Sequence, residues 1–267
     1  MEEYIKVNKS LWNGKTAIHL KSDFYDVESF KKGRSTLNPI ELNGLGDVKG
    51  KSILHLQCHF GIDSLSWARL GAKVTAIDLS DKAIEAAKLL NDELGLDAEF
   101  ICSNIYDLKN VLNKKFDIVF TSYGTIGWLP DLDKWADIVS HFLKDGGTFF
   151  IAEFHPVVWM FDDNFTRIQY SYFNDEAIIE EIKGTYAERD ADFRHLSYGW
   201  NHPVSEVLGS LINHGLKIET FDEYPFSYYN CFNNTVKIDD GTWQIKGFEN
   251  KLPMMFSIKA VKKESKD

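Results

Sequence analysis

The chain has 267 residues, 44% of them hydrophobic and 26% charged, which is enough to bury a core and lacks the biases of disordered, collagen-like or coiled-coil chains. A net charge of -10 and a pI near 5.3 disfavour nucleic acid and anionic membrane as main partners, leaving a small molecule as the expected one. No run approaches the roughly 18 apolar residues of a membrane span and no leader pattern opens the chain, so a cytoplasmic protein is expected.

From Lys51 onward the pattern alternates between short apolar runs and helical stretches, the grammar of an α/β fold. A first strand leads into the segment ILHLQCHFG from residue 53, and further strands are predicted at 74–78, 98–102, 116–122 and 147–154. FDIVF and TFFIA are apolar almost throughout, as strands covered on both faces of a parallel sheet should be. Between them, Ser80 caps a predicted helix with Ala83, Ile84, Ala87, Leu90 and Leu94 on one stripe and Gly95 as its stop. A second helix after Pro130 carries Leu132, Trp135, Ile138, Val139 and Phe142 and ends at Gly146-Gly147. Beyond Phe154 the spacing predicts an antiparallel ribbon of 166–173 with 177–186, then a helix over 203–215, a strand over 216–223, a hairpin over 235–245 and a last strand over 254–262. The lysine-rich end, KAVKKESKD, reads as a solvated tail. No repeat or linker interrupts the chain, so it is read as one domain, 1–267. Its parts are an N-terminal cap (1–43), a cofactor-binding half (44–154), an insertion (155–202) and a C-terminal helix with strands (203–267).

The turn after the first strand narrows the chemistry. A dinucleotide site needs Gly-x-Gly-x-x-Gly so that backbone amides can approach a diphosphate. Laid on Gln57, His59 and Ile62 that pattern fails at every position, and the bulk of the first two disfavours NAD or FAD. A ligand without phosphates asks less, one close backbone passage at Gly61 and hydrogen bonds to an amino-acid tail from groups such as Gln57 or His59. S-adenosylmethionine is such a ligand. Asp78, seventeen positions after Gly61, ends the second strand where a carboxylate can accept both ribose hydroxyls; Asn104 can meet the adenine amine, and Leu79 and Ile105 can sandwich the base.

On these residues the chain resembles the class I S-adenosylmethionine-dependent methyltransferases, over roughly residues 50 to 155 well and the terminal strands more loosely. In that family the first strand ends in an acid followed by Gly-x-Gly-x-Gly, positions that fall here on His55, Gln57, His59 and Gly61, three of them departures. The HLQCHFG form resembles a bacterial subgroup of unassigned substrate. The resemblance implies a Rossmann-like, doubly wound, seven-stranded, mostly parallel sheet in the order 3-2-1-4-5-7-6, carrying an N-terminal helical cap and a β-rich insertion. It puts the ribose acid on Asp78, the adenine-side group on Asn104 and the stretch after strand 4 on Thr121, Ser122, Tyr123 and Gly124. The expected cofactor site is therefore Gln57, Cys58, His59, Gly61, Asp78, Leu79, Asn104, Ile105 and Ser122.

Methyl transfer from a sulfonium is an in-line displacement in which positioning in a dry site supplies most of the rate, and a base is optional. Tyr123 and His155, at the carboxyl ends of strands 4 and 5, and His202, before the helix after the insertion, are the candidates. TSYG after strand 4 lacks the Asp/Asn-Pro-Pro-aromatic run that holds a planar nitrogen, and no Pro-Cys nucleophile exists, so the acceptor is expected to be a small molecule methylated on oxygen or nitrogen. Trp12, Phe24, Tyr25, Tyr123 and Trp159, with the aromatic runs 157–165 and 224–232, are expected to wall it. The alternatives are a nicotinamide-dependent oxidoreductase and a non-catalytic binder of the same cofactor. His55, Cys58 and His59 are zinc-ligand types, but no second pair has matching spacing and no metal is expected; the three cysteines are far apart and read as reduced thiols. Oligomeric state is left open.

Overall fold

In a computed structural model the described residues are 2–238 and 241–263. The cap consists of α1 (Glu3–His19), α2 (Val27–Lys31) and α3 (Pro39–Leu45). Next come β1 (Ser52–His55), α4 (Ile62–Arg69), β2 (Lys73–Asp78), α5 (Asp81–Glu93), β3 (Glu99–Cys102), β4 (Phe116–Ser122), α6 (Leu132–Phe142) and β5 (Leu143–Phe154). The insertion holds β6 (Ile178–Lys183) and β7 (Arg194–Gly199), and the chain continues with α7 (Val204–Asn213), β8 (Leu216–Tyr224), β9 (Thr235–Lys237), β10 (Trp243–Ile245) and β11 (Met255–Lys262). Seven strands form one sheet in the order β3-β2-β1-β4-β5-β11-β8, in which β11 runs antiparallel to both neighbours. This is the Rossmann-like arrangement that the resemblance implied.

The unbroken apolar runs follow from helices on both faces. Ile53, Phe120, Phe150 and Ala152 point to a core shared with α3, α4 and α5, while Leu54, Val119, Phe149 and Ile151 point to one built on α6 and α7. Ser80 caps α5 by accepting from the Ala83 amide; of the expected stripe, Ala83, Ile84, Ala87 and Leu90 are buried and Leu94, just past the helix, is half-buried. Trp135, Ile138, Val139 and Phe142 bury the matching face of α6.

Four expectations need correction or completion. The ribbon of the insertion pairs β6 with β7, Ile178 opposite Gly199, and not with 166–173, whose one strand-like contact is a bridge of Ile168 to Phe161. α6 stops at Phe142 and β5 starts at Leu143, ahead of the glycine pair, because the chain there already pairs with β4, Phe116 opposite Leu143. The predicted hairpin forms between β9 and β10, with part of its tip, 239–240, outside the described residues. Within KAVKKESKD, Lys259 to Lys262 belong to β11, so the first part of that segment is sheet and not tail; 264–267 lie outside the described residues.

The cap and the insertion are fastened to each other. Asn8 of α1 donates from Nδ2 to the Tyr198 carbonyl (2.8 Å) and accepts on Oδ1 from the Tyr198 amide (3.0 Å), filling both backbone positions of a β7 residue as a neighbouring strand would.

Candidate active site

The carboxyl edge of the sheet, the cap and the insertion enclose a cavity of about 1090 Å³. Its floor is the turn after β1. Gln57 (φ 55°), His59 (φ 51°) and Gly61 (φ 77°) all take left-handed backbone angles, so the three positions that carry glycine in the related turn keep that conformation although two of them carry side chains. Neighbouring strands hold the turn: the Leu56 amide donates to the Phe120 carbonyl (2.9 Å) and the Cys58 amide to the Ile77 carbonyl (2.8 Å). At Gly61 glycine is also required by packing, since a Cβ would stand 2.5 Å from Phe100.

Asp78 completes this floor. Its Oδ2 accepts from the His59 amide and its Oδ1 from the Ser80 amide, both at 2.8 Å, which leaves further lone pairs on a carboxylate that lines the cavity. Burial pushes its carboxyl up to about 6, opposed by these amides. Gln57 donates from Nε2 to the Thr125 carbonyl (2.9 Å), and its Oε1 is buried without a partner among the described residues. Leu79, Ile105, Asn104 and Ser122 line the same cavity. The Asn104 side chain is drawn partly into its own turn, accepting from the Tyr106 amide (3.4 Å) and donating to Asp107 (3.2 Å). Cys58 is buried, and burial raises its thiol well above the ordinary range, so it is a packed, protonated side chain. His55, at the position of the related acid, bonds Ser64 Oγ (2.7 Å), and burial lowers its imidazole to about 3, so the site has a neutral ring where the family has a charge.

The loop after β4 is built on one residue that sequence reasoning missed. Glu153 of β5 accepts on its two carboxylate oxygens from the amides of Gly124, Thr125 (2.7 Å), Ile126 (3.2 Å) and Phe154 (2.6 Å) and from the Thr125 hydroxyl (2.8 Å). An acid in the otherwise apolar run GTFFIAEF was the available signal. Tyr123 opens this loop at φ 44° and donates its hydroxyl to Glu41 of α3 (2.6 Å). Burial raises the Tyr123 phenol well above its usual range and lifts the Glu41 carboxyl to about 7. Asp63, on the first turn of α4, accepts from Thr36 Oγ1 (2.5 Å) and Ser122 Oγ (3.3 Å), and its carboxyl is likewise raised by burial. It too was missed.

Of the three candidate bases, the structure separates one from the cavity. His155 turns to the far side of β5, its Nε2 2.8 Å from Glu223 and its Nδ1 accepting from the Val157 amide, and it does not line the cavity; the pairing of β11 with β5 and β8 brings Glu223 there. His202 does line the cavity, but both ring nitrogens are engaged, Nε2 donating to the Leu129 carbonyl (2.7 Å) and Nδ1 lying 3.0 Å from Glu206. Tyr123 lines it as well, committed to Glu41. Trp12, Phe24, Tyr25 and Trp159 all line it, and Phe24, Tyr25 and Tyr229 form a chain of ring contacts at 5.1 and 5.8 Å. His59 and His19 face each other, Nε2 to Nδ1 at 2.9 Å, both held neutral by burial, with Lys15 adding to the effect.

Residues 53–147 match a family model described as a methyltransferase domain. Among curated proteins, the ubiquinone biosynthesis O-methyltransferase of Xanthomonas oryzae pv. oryzae is 30% identical over 136 residues, which make up 50% of this chain and 56% of that protein. The protein of the same description from Xylella fastidiosa is 31% identical over 134 residues, 49% of this chain and 54% of its own. The chain thus spans about half the length of the curated relatives it matches. Among solved structures, a Listeria monocytogenes protein described as a candidate S-adenosylmethionine-dependent methyltransferase aligns with a TM-score of 0.62 at 23% identity, covering 84% of this chain and 96% of that one. An S-adenosylmethionine-dependent methyltransferase from Clostridium acetobutylicum aligns with a TM-score of 0.58 at 17% identity, covering 96% of this chain and 98% of its own. At these identities the two structures speak for the fold.

Proposed function

We propose that this class I S-adenosylmethionine-dependent methyltransferase moves the cofactor's methyl group to an oxygen or nitrogen of a small molecule, bound where the cap and the insertion close over the carboxyl edge of the sheet. The observation that carries this reading is Asp78. Its carboxylate ends β2, is fixed by two backbone amides and still has acceptor capacity facing a large cavity, as a ribose diol requires.

The residues fit the cofactor at each part. Asp78 would take the ribose hydroxyls, with Leu79 and Ile105 on the faces of the adenine and Asn104 at its amine. The unpartnered Gln57 oxygen fits the ammonium of the amino-acid tail, whose family acid is His55 here. When bound, S-adenosylmethionine supplies a methyl on a positively charged sulfur, whose C–S bond breaks as the bond to the acceptor forms. The chain's own contribution is placement and exclusion of water: aromatic walls from Trp12, Phe24, Tyr25 and Trp159 narrow the space above the turn. Tyr123 and His202 act by position, each occupied by a neighbour, so the proton released by a hydroxyl or amine acceptor is not assigned to a base of this chain. The acidic surface fits a cytoplasmic enzyme acting on small molecules, and the whole chain is read as one functional unit.

The test is a thermal-shift titration followed by turnover. S-adenosylhomocysteine should raise Tm, and NAD or NADP should leave it unchanged. Stabilisation by the nicotinamides alone would replace this reading with an oxidoreductase. Cofactor binding without turnover across a panel of phenol, amine and carboxylate acceptors would favour a non-catalytic binder.

A further inference from the structure

Lys15 lies on α1 with 3% of its surface exposed, yet its ammonium makes no ion pair or hydrogen bond among the described residues. Its ammonium sits over three rings, Trp12 at 4.6 Å, Trp128 at 5.3 Å and Tyr186 at 5.6 Å, and the side chain lines the cavity. These rings come from the cap, from the segment after β4 and from the insertion, so three separate parts of the chain meet on one amine. A lysine on a terminal helix ordinarily carries its charge out to water. This one is kept inside, and burial lowers its amine to about 8. Ring faces offset part of that cost, but they do not supply a counter-charge. Among the described residues, none of the acids that line the cavity lies within ion-pair distance of this amine; Asp63 is held by Thr36 and Ser122, and Asp78 by the His59 and Ser80 amides.

The cofactor reading, on which this inference rests, adds a sulfonium, an ammonium and a carboxylate, a net positive charge, to the same enclosed space. Two like charges there repel in a medium of low dielectric, and a negative group on the remaining ligand would neutralise one of them. We propose that the methyl acceptor is a small organic anion and that Lys15, inside its ring of Trp12, Trp128 and Tyr186, is the residue that binds its negative oxygens.

The test uses the full chain saturated with S-adenosylhomocysteine and three probes that share a phenyl ring, benzoate, phenylphosphonate and neutral benzamide, followed by calorimetry. Wild-type protein should bind at least one of the two anions, and bind it roughly tenfold or more tightly than benzamide. Lys15→Met keeps the length of the side chain and removes the charge. It should lose roughly tenfold in anion affinity while its weaker affinity for benzamide stays within about twofold. Equal anion binding by Lys15→Met, benzamide binding as well as the anions, or no anion binding to the wild type would each overturn the proposal. The wild-type preference for anion over amide tests it even if the variant does not fold. A wild-type protein that fails to bind S-adenosylhomocysteine would instead remove the cofactor reading, and this inference with it.

Discussion

The loops after β1 and after β4 flank the same cavity and both force side-chain-bearing residues into left-handed angles, Gln57 and His59 in one and Tyr123 in the other. They are held differently. The turn after β1 lies between two strands, and its amides reach the Phe120 and Ile77 carbonyls and the Asp78 carboxylate. The loop after β4 leans on the single carboxylate of Glu153, which collects three consecutive loop amides. A backbone shape usually bought with glycine can thus be kept by other residues when strands on both sides hold it, at about 1 to 3 kcal/mol per strained position. Where consecutive loop amides converge on one side chain, the shape depends chiefly on that side chain.

The largest expected effect breaks the tie between the first loop and the ligand. Asp78→Ala removes the acceptor of the His59 and Ser80 amides and of the proposed ribose hydroxyls. Affinity for S-adenosylhomocysteine, read by calorimetry, should fall on the order of a hundredfold to ten-thousandfold, as two charge-assisted hydrogen bonds of about 1.5 to 3 kcal/mol each imply. Unchanged affinity would take Asp78 out of the site. Next comes Glu153→Ala, which strands three loop amides in a buried setting. Denaturant unfolding should show a loss of about 3 kcal/mol, and a loss under 1 would mean that the loop does not rest on this carboxylate.

A pH experiment sharpens the contrast on the side of the second loop. Glu41, buried beneath Tyr123, has its carboxyl raised from 4.5 to about 7, so the folded state holds a proton that the unfolded state releases. The resulting penalty is absent below about pH 4.5, grows as the pH rises towards 7 and is complete above it. Glu41→Gln should therefore gain on the order of 1 kcal/mol over wild type at pH 8, the lost carboxylate hydrogen bond offsetting part of the relief, and show no gain near pH 4. A gain that is the same at both pH values would contradict the assignment. The smallest effect is expected for His59→Gly, where relief of the strained angle and loss of the contact with His19 work against each other. The net change in unfolding free energy should stay within about 1 kcal/mol of zero.

Local grammar carried much of this structure. Ser80, Gly95 and the stripe on α5 were readable because caps and helical periodicity act within a few residues, and Asp78 was readable from its spacing after Gly61. What escaped depends on residues far apart in the chain. The alternation in 166–173 is as good a strand pattern as that of Arg194–Gly199, but it is the latter that pairs with β6 and packs on α1, a contact between distant parts of the chain. His155 sits at the end of strand 5 as expected, but Glu223, brought beside it through β11, draws it away from the cavity. Lys15 reads as one more charge on a mixed helix until Trp128 and Tyr186 arrive from distant segments to cover it. Glu41 gives no local hint of burial either, since its cover comes from Tyr123 and the sheet.

The two hydrogen bonds between Asn8 and the Tyr198 backbone have a mechanical outcome. Helix α1 and the hairpin of β6 and β7 join the sheet at separate places in the chain but are tied to each other, by Asn8 to Tyr198 and Ser10 to His195 (2.9 Å), with Tyr25 to Tyr186 (2.6 Å) beside them, so the two walls of the chamber behave as one piece. A displacement of either wall would therefore carry the other with it or break these contacts.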